Sequence, residues 1–314
     1  QNIVKEGTRM DAMETKLFRK LDDDEKNDEF IAVESRTFLQ SVWHDFTGNK
    51  RAVAGAIILI IVVLMAIFGP MMCKYSYAEQ NMSLRNASPS MDHWFGTDRM
   101  GRDIFVRILF GARISLAVGC LAAVINLIVG TIYGGIAGYV GGKVDMVMMR
   151  IVDIIYSVPA MLYIVLIMLI FGASVVSIML GISITCWIDM ARIVRQQVKS
   201  LKEQEFTMAA FVLGASPSRI LIKHLLINTM GQIIVTVTLM VPQAIFTEAW
   251  LSFLGVGISA PMASWGTLAQ DARQLIMTYP MQTVYPMIAI CITIFSFNFV
   301  GEGLEKALDP KRKR

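Results

Sequence analysis

Long uncharged apolar runs alternate with short polar segments along this chain, and the runs have the length of membrane spans. Ala52 to Gly69 is unbroken for about 18 residues, enough for a helix to cross a hydrocarbon core. Lys50 and Arg51 precede it, and Pro70 marks its expected end. Five further spans are predicted at about Ile114 to Gly135, Met148 to Phe171, Ser174 to Met190, Leu226 to Phe253 and Val284 to Val300. Pro159 falls within the third and Pro242 within the fifth, while Gly119, Gly130, Gly134 and Gly135 line the second. Such residues let helices break and approach one another closely, as in a bundle that moves. The expected fold class is therefore an all-α integral membrane protein with six transmembrane helices.

The polar segments set the organisation around that bundle. Residues 1–50 form a polar tail with an acidic cluster, LDDDEKNDE, at 21–29. No basic start leads directly into a short apolar core and a small-residue cleavage site, so a signal peptide is not expected. Residues 51–111 comprise the first span and a long connection, residues 112–304 a core of five spans, and residues 305–314 a basic tail. Six crossings put both termini on one side, together with the basic stretches Arg192 to Lys202, Arg219 to Lys223 and Lys311 to Arg314. That side is expected to be the cytosol. The connection at 71–111 dissents, because Arg99, Arg102 and Arg107 would face outward.

Composition agrees: 55% of the 314 residues are hydrophobic, and the mean hydropathy is +0.55. The net charge of +4 matters less than where lysine and arginine fall. Cys73, Cys120, Cys186 and Cys291 are scattered, with no CxxC pair, and read as small hydrophobes, not as a metal site or disulfide frame. Nothing in the sequence indicates a nucleic-acid partner.

The one long polar and basic interruption in the apolar second half is EQEFTMAAFVLGASPSRILIKHLLINTM, residues 203–230. Phe206, Ala209, Ala210 and Leu213 recur at the spacing of one helical face, which predicts a short amphipathic helix. Gly214 is a natural stop, and Ser216 with Pro217 reads as an N-cap with proline in the first turn of the next helix. On residue pattern alone, this segment fits a helix resting on the membrane surface as well as a docking element.

Its residues resemble the "EAA" loop of ABC importer permeases, through Glu205, Phe206, Ala209, Ala210, Gly214 and the basic start of the next helix. Met208 stands where that motif commonly carries glutamate, and Ile227 where it commonly carries proline. The block DHWFGTDRMGRD resembles the H-x-x-G-T-D-x-x-G-R-D signature of dipeptide and oligopeptide permeases, at His93, Gly96, Thr97, Asp98, Gly101, Arg102 and Asp103. GYVGGKVDMVMMR at 138–150, WIDMARIVR at 187–195, EAWLSFLGVG at 248–257, SWGTL at 264–268 and the tail FNFVGEGLEKALDPKRKR are similar to the same family. The resemblance covers about residues 40–314, and its local matches point to the C-type membrane subunit of oligopeptide permeases.

The resemblance implies a type I ABC importer permease of the bacterial plasma membrane, with residues 203–230 forming a cytosolic coupling helix. Glu205, Phe206, Met208, Ala209, Ala210, Leu213 and Gly214 would then contact the ATPase. Glu248, Gln243 and Pro242 are candidates for the path or its gate. A carboxylate facing lipid at the position of Glu248 would cost roughly 2.5–3.5 kcal/mol, so it should point inward, for a structural hydrogen bond or a role in the path. The implied partners are a second homologous permease, two ATP-binding subunits that carry ATP and Mg, and an extracytoplasmic peptide-binding protein. Peptide is the implied cargo; dipeptide, nickel and antimicrobial-peptide systems are the alternatives within the family.

Candidate enzyme chemistry is weak. The GGK at 141–143 fails as a phosphate loop, since Ala137 and Val144 occupy positions that require glycine and a hydroxyl residue. There is no HExxH, and GASPS at 214–218 lacks the closing glycine of a nucleophile elbow. No catalytic residue, bound cofactor or metal is expected. A channel or scaffold independent of ATP is the reading from another class.

Overall fold

The computed structural model describes residues 37–258 and 261–309. The acidic cluster at 21–29 and the basic end at 311–314 lie outside the described residues. The chain divides into residues 1–41 and 42–314. Within the described part of the first, the Thr37 N–H donates to Gln40 Oε1 at 3.0 Å and the Gln40 N–H donates back to Thr37 Oγ1 at 3.4 Å. This reciprocal cap opens α1, Phe38–Gly48, within a stretch that lacks the apolar periodicity of a predicted helix.

The described residues of the second unit are almost all helical, with no strand beyond one isolated bridge between Thr97 and Asp103. α2 runs Lys50–Met72 and is capped by Asn49. α3, Ile104–Ile125, continues through a π-helical turn at Asn126–Gly130 into α4, Thr131–Val140. α5, Gly142–Ser157, and α6, Ala160–Phe171, meet at a 75° bend. α7, Val175–Thr185, is followed after a short break by α8, Ile188–Lys202. α9, Glu205–Val212, precedes a turn at Pro217–Arg219 and a π-helical stretch at Ile220–Leu226 that leads into α10, Ile227–Phe253. α11, Trp265–Ala272, and α12, Pro280–Leu308, are the last helices of the described residues. Among the described residues five spans are long and apolar enough to cross a membrane, and counting the bent pair α5–α6 as one span gives six.

Proline marks the spans as expected, but its effects differ from site to site. Pro159 breaks the third span outright and becomes the N-cap of α6. Pro242 is buried inside a continuous α10. Pro70 does not end the first span, which runs on to Met72. A proline in a helix deprives the carbonyl four residues earlier of its donor. Here Arg113 of α3 supplies the replacement, with Nε donating to Ala66 O at 2.5 Å and Nη2 to Ile67 O at 2.6 Å.

Close approach of α4 to α8 depends on three glycines at four-residue intervals. A Cβ on Gly130 would lie 2.6 Å from the Met190 side chain, one on Gly138 would lie 2.7 Å from the Arg195 carbonyl, and one on Gly134 would overlap the Ala191 backbone. Of the glycines expected to line this span, Gly119 faces Ile245 and Val241 tightly, whereas Gly135 has only ordinary contact with Leu226. The core forms three clusters. One joins Ala66, Ile108, Leu116, Ile245 and Trp265, a second joins Val118, Ile164, Ile178 and Leu251, and a third joins Met190, Val194, Val198, Ala210 and Leu225.

The glycine- and charge-rich block before α3 is a buried knot instead of a solvated loop. Gly96 and Gly101 take φ of +73° and +72°, and a Cβ on either would strike a neighbouring backbone carbonyl. Asp103 caps α3 by accepting from the Val106 N–H at 2.9 Å. It also bonds His93 Nδ1 at 2.7 Å, while the His93 ring stacks on Tyr75. Asp98 accepts from Arg102 Nε at 2.7 Å and Arg107 Nη1 at 2.5 Å. Both guanidiniums then reach Asp271 of α11 at 3.2–3.3 Å. At the start of α12, Gln282 Nε2 donates to Thr97 O at 3.0 Å. The knot therefore clamps the segments before span two and between spans five and six.

Burial by itself opposes ionisation of Asp98. Arg107, Arg102 and the backbone N–H groups of Arg102 and Met100 outweigh it, holding the Asp98 carboxyl below its ordinary range.

Candidate functional site

Two features stand out from the bundle, one at its end and one at the level of its helix breaks. The first is α9, only eight residues and about 12 Å long. The residues that share one helical face by spacing, Phe206, Ala209, Ala210 and Leu213, divide between inside and outside. Ala210 and Thr207 are buried, whereas Phe206, Ala209 and Leu213 are exposed. A helix with apolar residues almost all round carries no periodic cue to its inner face; anchoring decides it. Thr207 Oγ1 donates to Leu201 O at 2.8 Å, and Ala210 sits in the third core cluster against α8 and the base of α10.

Held in this way, α9 projects its remaining apolar side chains. Phe211 is 67% exposed and Leu213 87% exposed, with Met208 and Val212 beside them and Glu205 at the exposed first turn. Gly214 closes the helix with φ +81°. Its N–H donates to Phe211 O at 2.9 Å and the Ala215 N–H to Ala210 O at 3.0 Å, a Schellman stop. Ser216 holds the N-cap position of the next turn without a side-chain capping bond, and Pro217 follows at N1.

The shaft behind α9 is braced by charge. Asp145 of α5 accepts from Arg195 Nη2 at 2.6 Å and Lys199 Nζ at 3.3 Å. Lys202 Nζ donates to Tyr139 O at 2.6 Å near the C-terminus of α4. Displacement of α9 would therefore be shared among α4, α5, α8 and α10.

The second feature is a cavity of about 470 Å³. Its wall joins Asn126 of the π turn, Ser157 to Pro159 of the broken third span, Cys186 and Asp189 at the break of the fourth, and Met240, Gln243 and Thr247 of α10. Of the three residues proposed from sequence for the path, Gln243 lines this cavity, while Pro242 and Glu248 are not part of its wall. Glu248 is fully buried and accepts from Ser115 Oγ at 3.1 Å and Ser252 Oγ at 2.8 Å. Ser115 Oγ in turn accepts from the Trp265 N–H at 3.3 Å. Glu248 thus pins α3, α10 and α11 together. Asp189 lies in the wall of this cavity.

A bundle of broken spans around a central cavity, with a short apolar helix held out at one end, is the build of a membrane transport permease. The chain belongs to the family described as the binding-protein-dependent transport system inner membrane component, matched over residues 130–314, and it has the type I ABC permease fold. Residues 37–89 match the N-terminal TM domain of oligopeptide transport permease C. The chain is 50% identical over 278 residues to the oligopeptide transport system permease protein OppC of Bacillus subtilis, covering 87% of this chain and 91% of that protein. It is 46% identical over 293 residues to the dipeptide transport system permease protein DppC of the same organism, 92% of each. To OppC of Escherichia coli K12 it is 42% identical over 285 residues, 90% of this chain and 94% of that protein.

Proposed function

We propose that this chain is one of two membrane subunits of an ATP-driven importer of short peptides. The observation that carries the reading is α9, whose apolar tip is exposed while its opposite side is locked into the bundle through Thr207 and Ala210. A water-facing tip of this kind needs a partner to cover it. A cleft on a separate ATPase subunit fits, with ATP and Mg bound there. Closure of the ATPases would push α9, and the braced shaft would pass the motion to the broken spans as a rigid body. Glu205, Phe206, Met208, Ala209, Leu213 and Gly214 form or shape the contact, and Ala210 anchors it.

The α9 end is the cytosolic end, with both termini on that side. The basic residues at 192–202 and 219–223 support this orientation. Two of the three dissenting arginines of the other end support it too, because Arg102 and Arg107 are buried against Asp98 and Asp271 and present no free positive surface, while Arg99 is partly exposed 3.7 Å from Asp271. An extracytoplasmic binding protein would deliver cargo there. Gln243 is the path residue, while Glu248 and Pro242 set the shape of α10 behind it. Relatives named for oligopeptide and dipeptide transport support peptides as the cargo class.

The test is uptake of labelled peptides of two to five residues by cells that lack the chain. Uptake should return with the wild-type chain and fail to return when the partner ATPase cannot hydrolyse ATP. Full uptake without ATP hydrolysis would make the chain a channel.

A further inference from the structure

The cavity at the helix breaks has one charged side chain in its wall, Asp189. It lies in the first turn of α8, just after the break between α7 and α8 and one helical turn before the basic stretch that begins at Arg192. Among the described residues the Asp189 carboxylate has no hydrogen-bond or ion-pair partner. The nearest cation along its own helix is Arg192, and that side chain is engaged elsewhere. Arg192 Nη2 donates to Asp153 at 3.1 Å, and its guanidinium lies 4.4 Å from the centre of the Tyr156 ring. The Asp189 carboxylate is exposed to this cavity, and no cation of the chain compensates it there. The positive end of α8 offsets part of that charge but supplies no counter-ion.

The surroundings are neutral and suited to a backbone. Thr185, Gln243 and Thr247 line the same cavity as Asp189, together with Tyr156 to Ala160 of the broken third span. Discontinuous helices near mid-span are where transporters of other folds hold their cargo. We infer that Asp189 is the cation-recognising residue of the permeation cavity, holding the α-ammonium group of the passing peptide while neutral groups contact its backbone. This rests on the peptide-importer reading above. The charged group is one that every unblocked peptide carries, so such a site would favour peptides without selecting among their side chains.

The experiment uses the purified importer complex with the four native cysteines of this chain changed to serine and Gln243→Cys as a reporter. The rate of maleimide labelling is measured against rising concentrations of tetra-alanine, its N-acetylated form, and an N-acetylated peptide containing one lysine. Free tetra-alanine should protect at a concentration about tenfold lower than the acetylated form, the scale of one charge-assisted hydrogen bond. Asp189→Asn should abolish that difference and Asp189→Glu should retain most of it. Protection by the acetylated lysine peptide at the same low concentration would support ammonium recognition wherever the group is carried. Equal protection by all three peptides, unchanged in Asp189→Asn, would overturn the role of Asp189 while leaving the importer reading intact. Absence of protection by any peptide, in a complex that still takes up peptide in vesicles, would overturn the cavity as a peptide site. A merely structural Asp189 would shift the melting temperature in Asp189→Asn without moving the ratio between peptides.

Discussion

Replacing Asp98 with asparagine tests whether the outer knot holds the bundle together. Asp98 is 7% exposed and accepts from two guanidiniums, at 2.7 and 2.5 Å, and from the N–H groups of Met100 and Arg102 at 2.8 and 3.0 Å. Asparagine keeps the shape but leaves Arg102 and Arg107 buried with Asp271 as their remaining carboxylate, at 3.2–3.3 Å. Breaking one side of a buried pair costs about 3–5 kcal/mol. Asp271→Asn should cost less, about 1–2 kcal/mol, because Asp271 is partly solvated and its bonds are longer. Thermal unfolding of purified protein in detergent should therefore rank Asp98→Asn well below Asp271→Asn, and both below wild type. The pH dependence has a definite sign. The folded pKa of Asp98 lies below its unfolded value, so its stabilisation is complete above the unfolded carboxylate range, near about 4. It is lost only as pH falls through the lower, folded value. Protease resistance of residues 73–103 should be the same at pH 8 and pH 5 and collapse below about 4. An Asp98→Asn protein with wild-type melting, or a knot that opens between pH 8 and 5, would refute the reasoning.

Other perturbations reach different links. Gly134→Ala should destabilise by about 1–3 kcal/mol through overpacking against Ala191, whereas Gly135→Ala should be neutral or stabilising, measured as melting temperature. Arg113→Met should cost about 1–3 kcal/mol by stranding the Ala66 carbonyl. Adding Pro70→Ala should recover part of that loss, since it restores the N–H that Ala66 lacks; an additive double mutant would contradict the capping argument. Gly214→Pro cannot keep φ near +81° and removes the N–H donated to Phe211, so peptide uptake should fall to background while membrane insertion stays intact. Ala209→Asp should do the same by placing a charge on the docking face; normal uptake by either variant would count against the coupling assignment.

The spans were legible because apolar length is the strongest signal a membrane sequence carries, and the run from Met148 to Phe171 also contained its own break at Pro159. The ends were less legible. Pro70 read as a stop because the compensating donor, Arg113, lies more than forty residues further along. The anchors of α9 were not legible, because they are a threonine hydroxyl and one alanine rather than an apolar stripe. The dissenting arginines of 71–111 became intelligible only when Asp271, from a segment remote in sequence, closed the knot around them. The cavity was least visible of all, since it arises where a π turn, a proline break and a short interhelical gap on three different spans meet at one level.

The central claim, that the exposed tip of α9 is what binds this chain to its energy source, is tested most directly by quantitative co-purification. The tagged chain and its Phe211→Asp, Leu213→Asp double variant would be purified from membranes in mild detergent, and accompanying proteins measured by mass spectrometry. Both side chains are exposed, so folding and membrane insertion should be unchanged. The account predicts that the wild-type chain brings a homologous permease and two ATPase subunits. The variant should keep the permease and lose the ATPases. Equal ATPase recovery with both chains, or none with the wild-type chain under conditions that preserve other membrane complexes, would contradict it.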